Sequence, residues 1–129
     1  MKTVIFPVGL PAAGKSTWAK QQLLLREGVV RINNDDIAAA AFAPGRSAVT
    51  GAVLAAWRAA MLEAALGVDE VTHVIVDNTN LNVGELRRLA NLAISHGATV
   101  QIRTFFDVDV EECIRRDSLR ENPVGQAVI

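Results

Sequence analysis

Gly9-Leu10-Pro11-Ala12-Ala13-Gly14-Lys15-Ser16-Thr17 decides how the rest of the chain is read. The stretch fits the phosphate-loop (Walker A) pattern G-x-x-x-x-G-K-[ST] and stands between an apolar run, Val4-Ile5-Phe6 with Val8, and a segment, Trp18 to Glu27, without glycine or proline. The run is long enough for one buried strand, and the segment can be the helix that the loop opens. Glycines at these two positions let backbone N–H groups turn inward at the positive end of a helix dipole, which makes an anion cradle. Lys15 adds a mobile positive charge for the terminal phosphates of a nucleoside triphosphate, and the Ser16 hydroxyl is placed to ligate the Mg²⁺ that travels with it. Gly9, Ala12, Ala13, Gly14, Lys15, Ser16 and Thr17 are thus the expected binding residues for a nucleoside triphosphate, with ATP the expected donor although the residues do not distinguish it from another triphosphate. A glycine-rich turn with a merely solvated lysine would need neither the strand before it nor the helix after it.

Composition sets the outer limits. With 129 residues, the chain is expected to form a single domain over 1–129, able to bury a real core. Half of the residues are apolar and the formal net charge is −1, which excludes a disordered chain. Near-neutral charge also argues against tight binding along a long stretch of nucleic acid, while recognition of a strand end stays open. No apolar run approaches bilayer length, and Met1-Lys2-Thr3 leads straight into the first strand, so a cytoplasmic protein without a membrane partner is expected. Cys113 is the sole cysteine, which excludes an internal disulfide; at helical spacing from Val110 and Ile114 it reads as a small core hydrophobe.

Taken in order, strands and helices alternate. Val29 to Ile32 reads as a second strand followed by Asn33-Asn34-Asp35-Asp36, and Ile37 to Phe42 as a helical turn or two, broken by Ala43-Pro44-Gly45. Ser47 is expected to cap a long alanine-rich helix ending near Gly67, with Val49, Val53, Trp57, Met61 and Ala64 or Ala65 forming a stripe that is either core or partner-facing surface. Val71 to Val76 is a third, buried strand ending in Asp77-Asn78-Thr79-Asn80. Asn82 and Glu85 then make a capping box for a helix whose Leu86, Leu89, Ala90 and Ala93 face inward, with Gly97 as its stop. Thr99 to Phe106 alternates as a fourth strand, and Asp109 with Glu112 opens a last helix to about Leu119.

This succession predicts an α/β fold, a parallel sheet of about four strands covered by helices on both faces. In such sheets ligands bind at the carboxyl ends of the strands, where three polar clusters follow the first three strands. Phosphoryl transfer needs positioning, charge neutralisation and an acceptor for a proton. Asp35 or Asp36 can be that base, and Asp77 has the placement of an acid that holds Mg²⁺, directly or through water. Arg116 and Arg120 lie one turn apart in the last helix; they suit either solvated pairing with Glu112 or a lid that clamps phosphates.

These residues resemble the kinase domain of phage-type polynucleotide 5′-hydroxyl kinases, a P-loop phosphotransferase group similar to zeta-type toxins and small-molecule kinases. The resemblance runs through Gly14-Lys15-Ser16-Thr17-Trp18-Ala19, Ile32-Asn33-Asn34-Asp35-Asp36, Asn78-Thr79-Asn80-Leu81-Asn82, Phe106-Asp107-Val108 and Arg116-x-Ser118-x-Arg120. It implies that Asp35 is the general base for a 5′-hydroxyl, that Lys15 and Arg120 act on the donor phosphates with Arg116 as helper, and that Asp36, Thr79 and Asn80 belong to the acceptor side. Two positions depart from the pattern: Ala38 stands where the family carries an arginine that holds the acceptor's phosphate, and Asn78 stands where an acid usually precedes the Thr-Asn-Leu-Asn block. Losing the arginine removes a contact worth about 1.5–3 kcal/mol, so Arg46 or another group replaces it or the acceptor differs. The expectation is an ATP- and Mg²⁺-dependent kinase of nucleic-acid 5′-hydroxyl ends. Its rivals are a kinase of a small molecule or sugar nucleotide and a non-catalytic ATP-binding module. Oligomeric state is not legible in these residues.

Overall fold

A computed structural model of the chain describes residues 1–10, 13–43, 45, 48–105 and 115. Among the described residues, eight elements run in the order β1 (Thr3–Val8), α1 (Lys15–Leu25), β2 (Val29–Ile32), α2 (Asn34–Ala41), α3 (Ala48–Leu66), β3 (His73–Val76), α4 (Val83–Ser95) and β4 (Thr99–Thr104). The strands form one sheet in the order β2-β3-β1-β4, every pair parallel. Registers such as Val4 with Val74, Val4 with Val100 and Val30 with Val74 align the carboxyl ends at one edge.

Alternation along the strands divides the apolar residues between two faces. Val4, Phe6, Val74 and Val76 join Leu62 and Leu66 of α3 and Leu89 and Ala93 of α4 in the main core. Gln22 of α1 and Arg26 just after it line a small cavity with Ile5, Val29, His73 and Ile75, which places α1 over the other face. The two-sided α/β architecture is as the sequence predicts.

Boundaries move for identifiable reasons. Helix α1 starts at Lys15, directly after Gly14 at its N-cap, and ends before Arg26, whose backbone is extended. Helix α2 starts earlier than its apolar residues, because Asn33 caps it by accepting from the Asp36 N–H at 2.9 Å. Strand β3 starts at His73, because the Val71 N–H closes a turn onto the Val68 carbonyl at 3.1 Å. Half of the expected capping box of α4 is present, with Asn82 accepting from the Glu85 N–H at 3.0 Å, while the Glu85 carboxylate pairs with Arg58 and Arg88. The last helix, with Asp109, Glu112 and Cys113, lies outside the described residues, as do Ser47 and Arg46.

Helix α3 corrects one expectation and resolves another. Its residues Val49–Leu66 are long and apolar enough to cross a membrane, contrary to the reading that no run is. Alanines bring the helix to that composition; Leu62 and Leu66 join the core over the sheet and Leu54 is buried, while Val49, Trp57 and Met61 are exposed. The stripe at Val49, Trp57 and Met61 is therefore surface. Arg58 pairs with Glu85 of α4 at 2.5 Å beside the buried leucines.

Candidate active site

The end of β1 turns sharply at Gly9. Its N–H donates to the Thr79 carbonyl at 3.1 Å, and a Cβ there would stand 3.0 Å from the Phe105 carbonyl oxygen, so this loop is wedged between the segments that follow β3 and β4. Gly14 has φ 102, the left-handed region in which side chains are strained, and a Cβ on it would point into open space. Helix α1 therefore opens with no side-chain cap and no acid in its first turn, leaving its first N–H groups directed at the cradle. Lys15, 6% exposed, donates from Nζ to the carbonyls of Gly9 at 2.9 Å and Leu10 at 2.5 Å. Ala13 is buried and Thr17 exposed in the first turn of α1. Ala12 lies outside the described residues.

The loops after β2 and β3 are laced together. The Asp77 N–H donates to the Ile32 carbonyl at 2.8 Å, Asn33 Nδ2 donates to the Asp77 carbonyl at 2.6 Å, and the Asn34 N–H donates to Asn78 Oδ1 at 3.0 Å. Asp35 and Asp36 occupy the first turn of α2, where carboxylates answer the helix dipole, and both are exposed at the sheet edge that carries the phosphate loop. Asn34 Oδ1 is buried without a hydrogen-bond partner among the described residues, an acceptor beside Asp35 that awaits a donor. Thr79 is half-buried, and Asn80 takes a positive φ of 55. The Asn80 Nδ2 atom donates to the carbonyls of Pro7 at 2.6 Å, Val76 at 2.8 Å and Asn78 at 3.2 Å, a clasp between the ends of β1 and β3.

One residue joins these clusters, and sequence reasoning passed it over. Arg31 of β2 donates from Nε to Asp77 Oδ2 at 2.7 Å, from Nη1 to Asp36 Oδ2, and from Nη2 to Ser16 Oγ at 3.4 Å. The Arg31 and Asp77 side chains are 11% and 1% exposed, against 65% for Asp36. Burial opposes the guanidinium's charge, but its bonds to Asp36 and Asp77 outweigh that and raise its pKa above the ordinary arginine value. The signal was present: a lone charge in the apolar strand Val29-Val30-Arg31-Ile32 needs a partner. Arg103 was also passed over: its Cζ stands 4.8 Å from the ring centroid of Trp18 in α1 and 5.3 Å from that of Phe105, whose carbonyl lies against Gly9.

Ser16, Asp36 and Asp77 are thus brought together around one guanidinium, with Asp35 beside Asp36. Among the described residues no group of three or more His, Cys, Asp or Glu side chains could hold a metal ion. A hydroxyl and a carboxylate are the hard oxygen donors that suit Mg²⁺ when phosphates and waters complete its shell, so the residues fit a magnesium ion carried in with a nucleotide. Arg116 and Arg120, the expected lid residues, lie outside the described residues.

A four-stranded parallel sheet with this loop at its carboxyl edge is the α/β fold of the P-loop kinases. The chain belongs to the AAA domain family, whose model matches residues 4–129, and within it is of the P-loop kinase type. A chain of the solved "Structure of the Pnkp1/Rnl/Hen1 RNA repair complex" superposes with a TM-score of 0.79 at 26% identity, over 96% of this chain and 39% of that one. A chain of the solved "Structure of Pnkp1/Rnl/Hen1 complex" does so with a TM-score of 0.75 at 24% identity, over 99% of this chain and 46% of that one. The chain thus spans less than half the length of either.

Proposed function

We propose that this chain is an ATP-dependent kinase that transfers the γ-phosphate to the 5′-hydroxyl of a polynucleotide end. The observation that carries the reading is the reach of Arg31 to Ser16, Asp36 and Asp77, which gathers residues from the phosphate loop, α2 and the β3 loop at one place. The acceptor class is supported by the 26% identity to a chain of an RNA repair complex and by the match of Asp35-Asp36 and Thr79-Asn80 to the polynucleotide-kinase pattern.

In this reading Gly9, Ala12, Ala13, Gly14 and Thr17 form the cradle for the triphosphate, with N–H groups of the loop and of α1 on its oxygens. Lys15 leaves the loop carbonyls for the β- and γ-phosphates, an exchange of neutral acceptors for charged ones. Ser16 and Asp77 would hold Mg²⁺, which when bound would draw off the charge that develops on the phosphate oxygens. Asp35 takes the proton of the attacking 5′-hydroxyl as its oxygen bonds to the γ-phosphorus, and the bond to the β,γ-bridging oxygen breaks to release ADP. Asp36 and Thr79 border the acceptor, with Asn80 fixing the loop that presents Thr79. Arg116 and Arg120 serve as the lid on the donor phosphates. A cytoplasmic location accords with ATP as donor.

A second reading, a kinase of a small molecule or sugar nucleotide, is favoured by Ala38. That position is 9% exposed and carries no cation where polynucleotide kinases place the arginine for the acceptor's phosphate. The test is incubation of the purified chain with ATP, Mg²⁺ and a labelled 5′-hydroxyl oligonucleotide. Labelled product that excess mononucleotide does not suppress supports the polynucleotide reading; phosphorylation of the mononucleotide instead supports the second. No transfer by a folded, ATP-binding chain leaves a non-catalytic ATP-binding module.

A further inference from the structure

The Ser16–Asp77 position already holds a cation of the chain's own. Arg31 lies on an edge strand, yet its side chain is 11% exposed and its nitrogens reach the buried Asp77, the exposed Asp36 and the hydroxyl of Ser16. A guanidinium stays protonated at any working pH, so this positive charge cannot be titrated away. A bare divalent ion approaching the same hydroxyl and carboxylate would meet a like charge and compete for an oxygen already engaged at 2.7 Å.

We propose that Arg31 is a positioning residue that closes the metal position to bare divalent ions and yields it only to a metal–nucleotide complex. The inference rests on the kinase reading for the identity of the Ser16–Asp77 position. Its two carboxylate partners make the exchange feasible. Asp77 is buried and sits at the phosphate-loop side, whereas Asp36 is 65% exposed on α2, so the fork can keep Asp36 while Asp77 is taken over. The negative charge of a triphosphate then attracts both the ion and the guanidinium, which turns the like-charge conflict into shared neutralisation. Without nucleotide the same arginine keeps Asp77 from being a buried carboxylate with no cation beside it.

The test is titration of the full chain with Mn²⁺, followed by the electron paramagnetic resonance signal of the free ion, with and without a non-hydrolysable ATP analogue. Wild type should bind no Mn²⁺ alone at millimolar concentration and one Mn²⁺ with the analogue. Arg31→Gln should bind bare Mn²⁺ at least tenfold more tightly than wild type, and Arg31→Lys, which keeps the charge, should resemble wild type. Circular dichroism reports whether each variant folds. Asp36→Asn, on an exposed side chain, supplies the arm that does not depend on tolerance of a change at Arg31. It should leave bare Mn²⁺ excluded and weaken binding of the Mn²⁺–analogue complex at least threefold. Bare Mn²⁺ binding that is equal in wild type and folded Arg31→Gln, or unchanged complex binding in Asp36→Asn, overturns the proposal. Failure of wild type to bind the Mn²⁺–analogue complex overturns the kinase reading instead, and the bare-ion comparison still decides the role of Arg31.

Discussion

The Gly9 N–H donates to the carbonyl oxygen of Thr79 at 3.1 Å, so the first turn of the phosphate loop is fastened to the segment expected to meet the acceptor. A side chain at position 9 would press on the Phe105 carbonyl oxygen at 3.0 Å and the Phe105 Cβ at 3.1 Å, and the loop would have to give. Gly9→Ala should weaken ATP binding about tenfold, equivalent to about 1.4 kcal/mol, while unfolding free energy falls by no more than about 1–2 kcal/mol. Calorimetric titration with ATP, paired with urea denaturation, reads the two effects separately. Unchanged ATP affinity would show that the wedge is not what shapes the cradle.

Asp35 is exposed in the first turn of α2, whose start is fixed by the Asn33 cap rather than by Asp35 itself. Asp35→Asn should therefore leave the fold and ATP affinity nearly unchanged and lower phosphoryl transfer about 10²–10⁴-fold, the range for loss of a positioned base. Transfer is measured as label gained by a 5′-hydroxyl oligonucleotide, and ATP affinity by calorimetry. Comparable transfer by the variant would remove Asp35 from the mechanism, with Asp36→Asn as the next substitution to make.

How much of this was legible in the sequence differs from element to element, for physical reasons. Helix α4 could be read because it is amphipathic: Leu89 and Ala93 are buried as expected, and Arg87 and Arg88 face outward. For helix α3 the span was legible but the buried face was not, since alanines on every side leave no contrast and the residues that go inside are Leu54, Leu62 and Leu66. The phosphate loop and the acids after β2 and β3 are local patterns and were found. Their junction at Arg31 is not local, because it depends on β2 pairing with β3 and β3 with β1, and parallel pairing is set by contacts far apart in the chain. The resemblance implies an acceptor-side place for Asn80; that its amide donates to three backbone carbonyls is something no motif reveals.

Glu85 carries a pH dependence away from the site. A hydrogen bond from Arg88, opposed by burial and reinforced by Arg58, holds its carboxyl down to about 2 from an ordinary 4.5. Because the folded value is the lower one, the ionised group stabilises the fold fully above pH 4.5, and this is lost as pH falls from 4.5 towards 2. The carboxylate is partly in solvent, so screening keeps the effect near that of exposed pairs, about 0.5–1 kcal/mol. Glu85→Gln should lower urea-unfolding stability by about that much at pH 7, by less at pH 3, and by less again in high salt. An equal loss at pH 7 and pH 3 would assign the effect to the cap of α4 rather than to the ion pairs.

Asn80 combines a positive φ with a clasp of three carbonyls, and two substitutions separate these features. Asn80→Ala removes the clasp and places a strained residue at φ 55, costing about 2–4 kcal/mol from unsatisfied carbonyls and left-handed backbone together. Asn80→Gly removes the clasp but relieves the strain, so it should recover about 1 kcal/mol of that loss. Both should loosen the joint between Pro7 at the end of β1 and the loop of Thr79, and so weaken acceptor binding more than ATP binding. Urea denaturation gives the stabilities, and KM for the oligonucleotide against KM for ATP gives the split. If Asn80→Gly matches wild type in stability, the clasp contributes nothing and the residue is kept for its backbone alone; if both KM values rise together, the joint positions the whole cradle rather than the acceptor side.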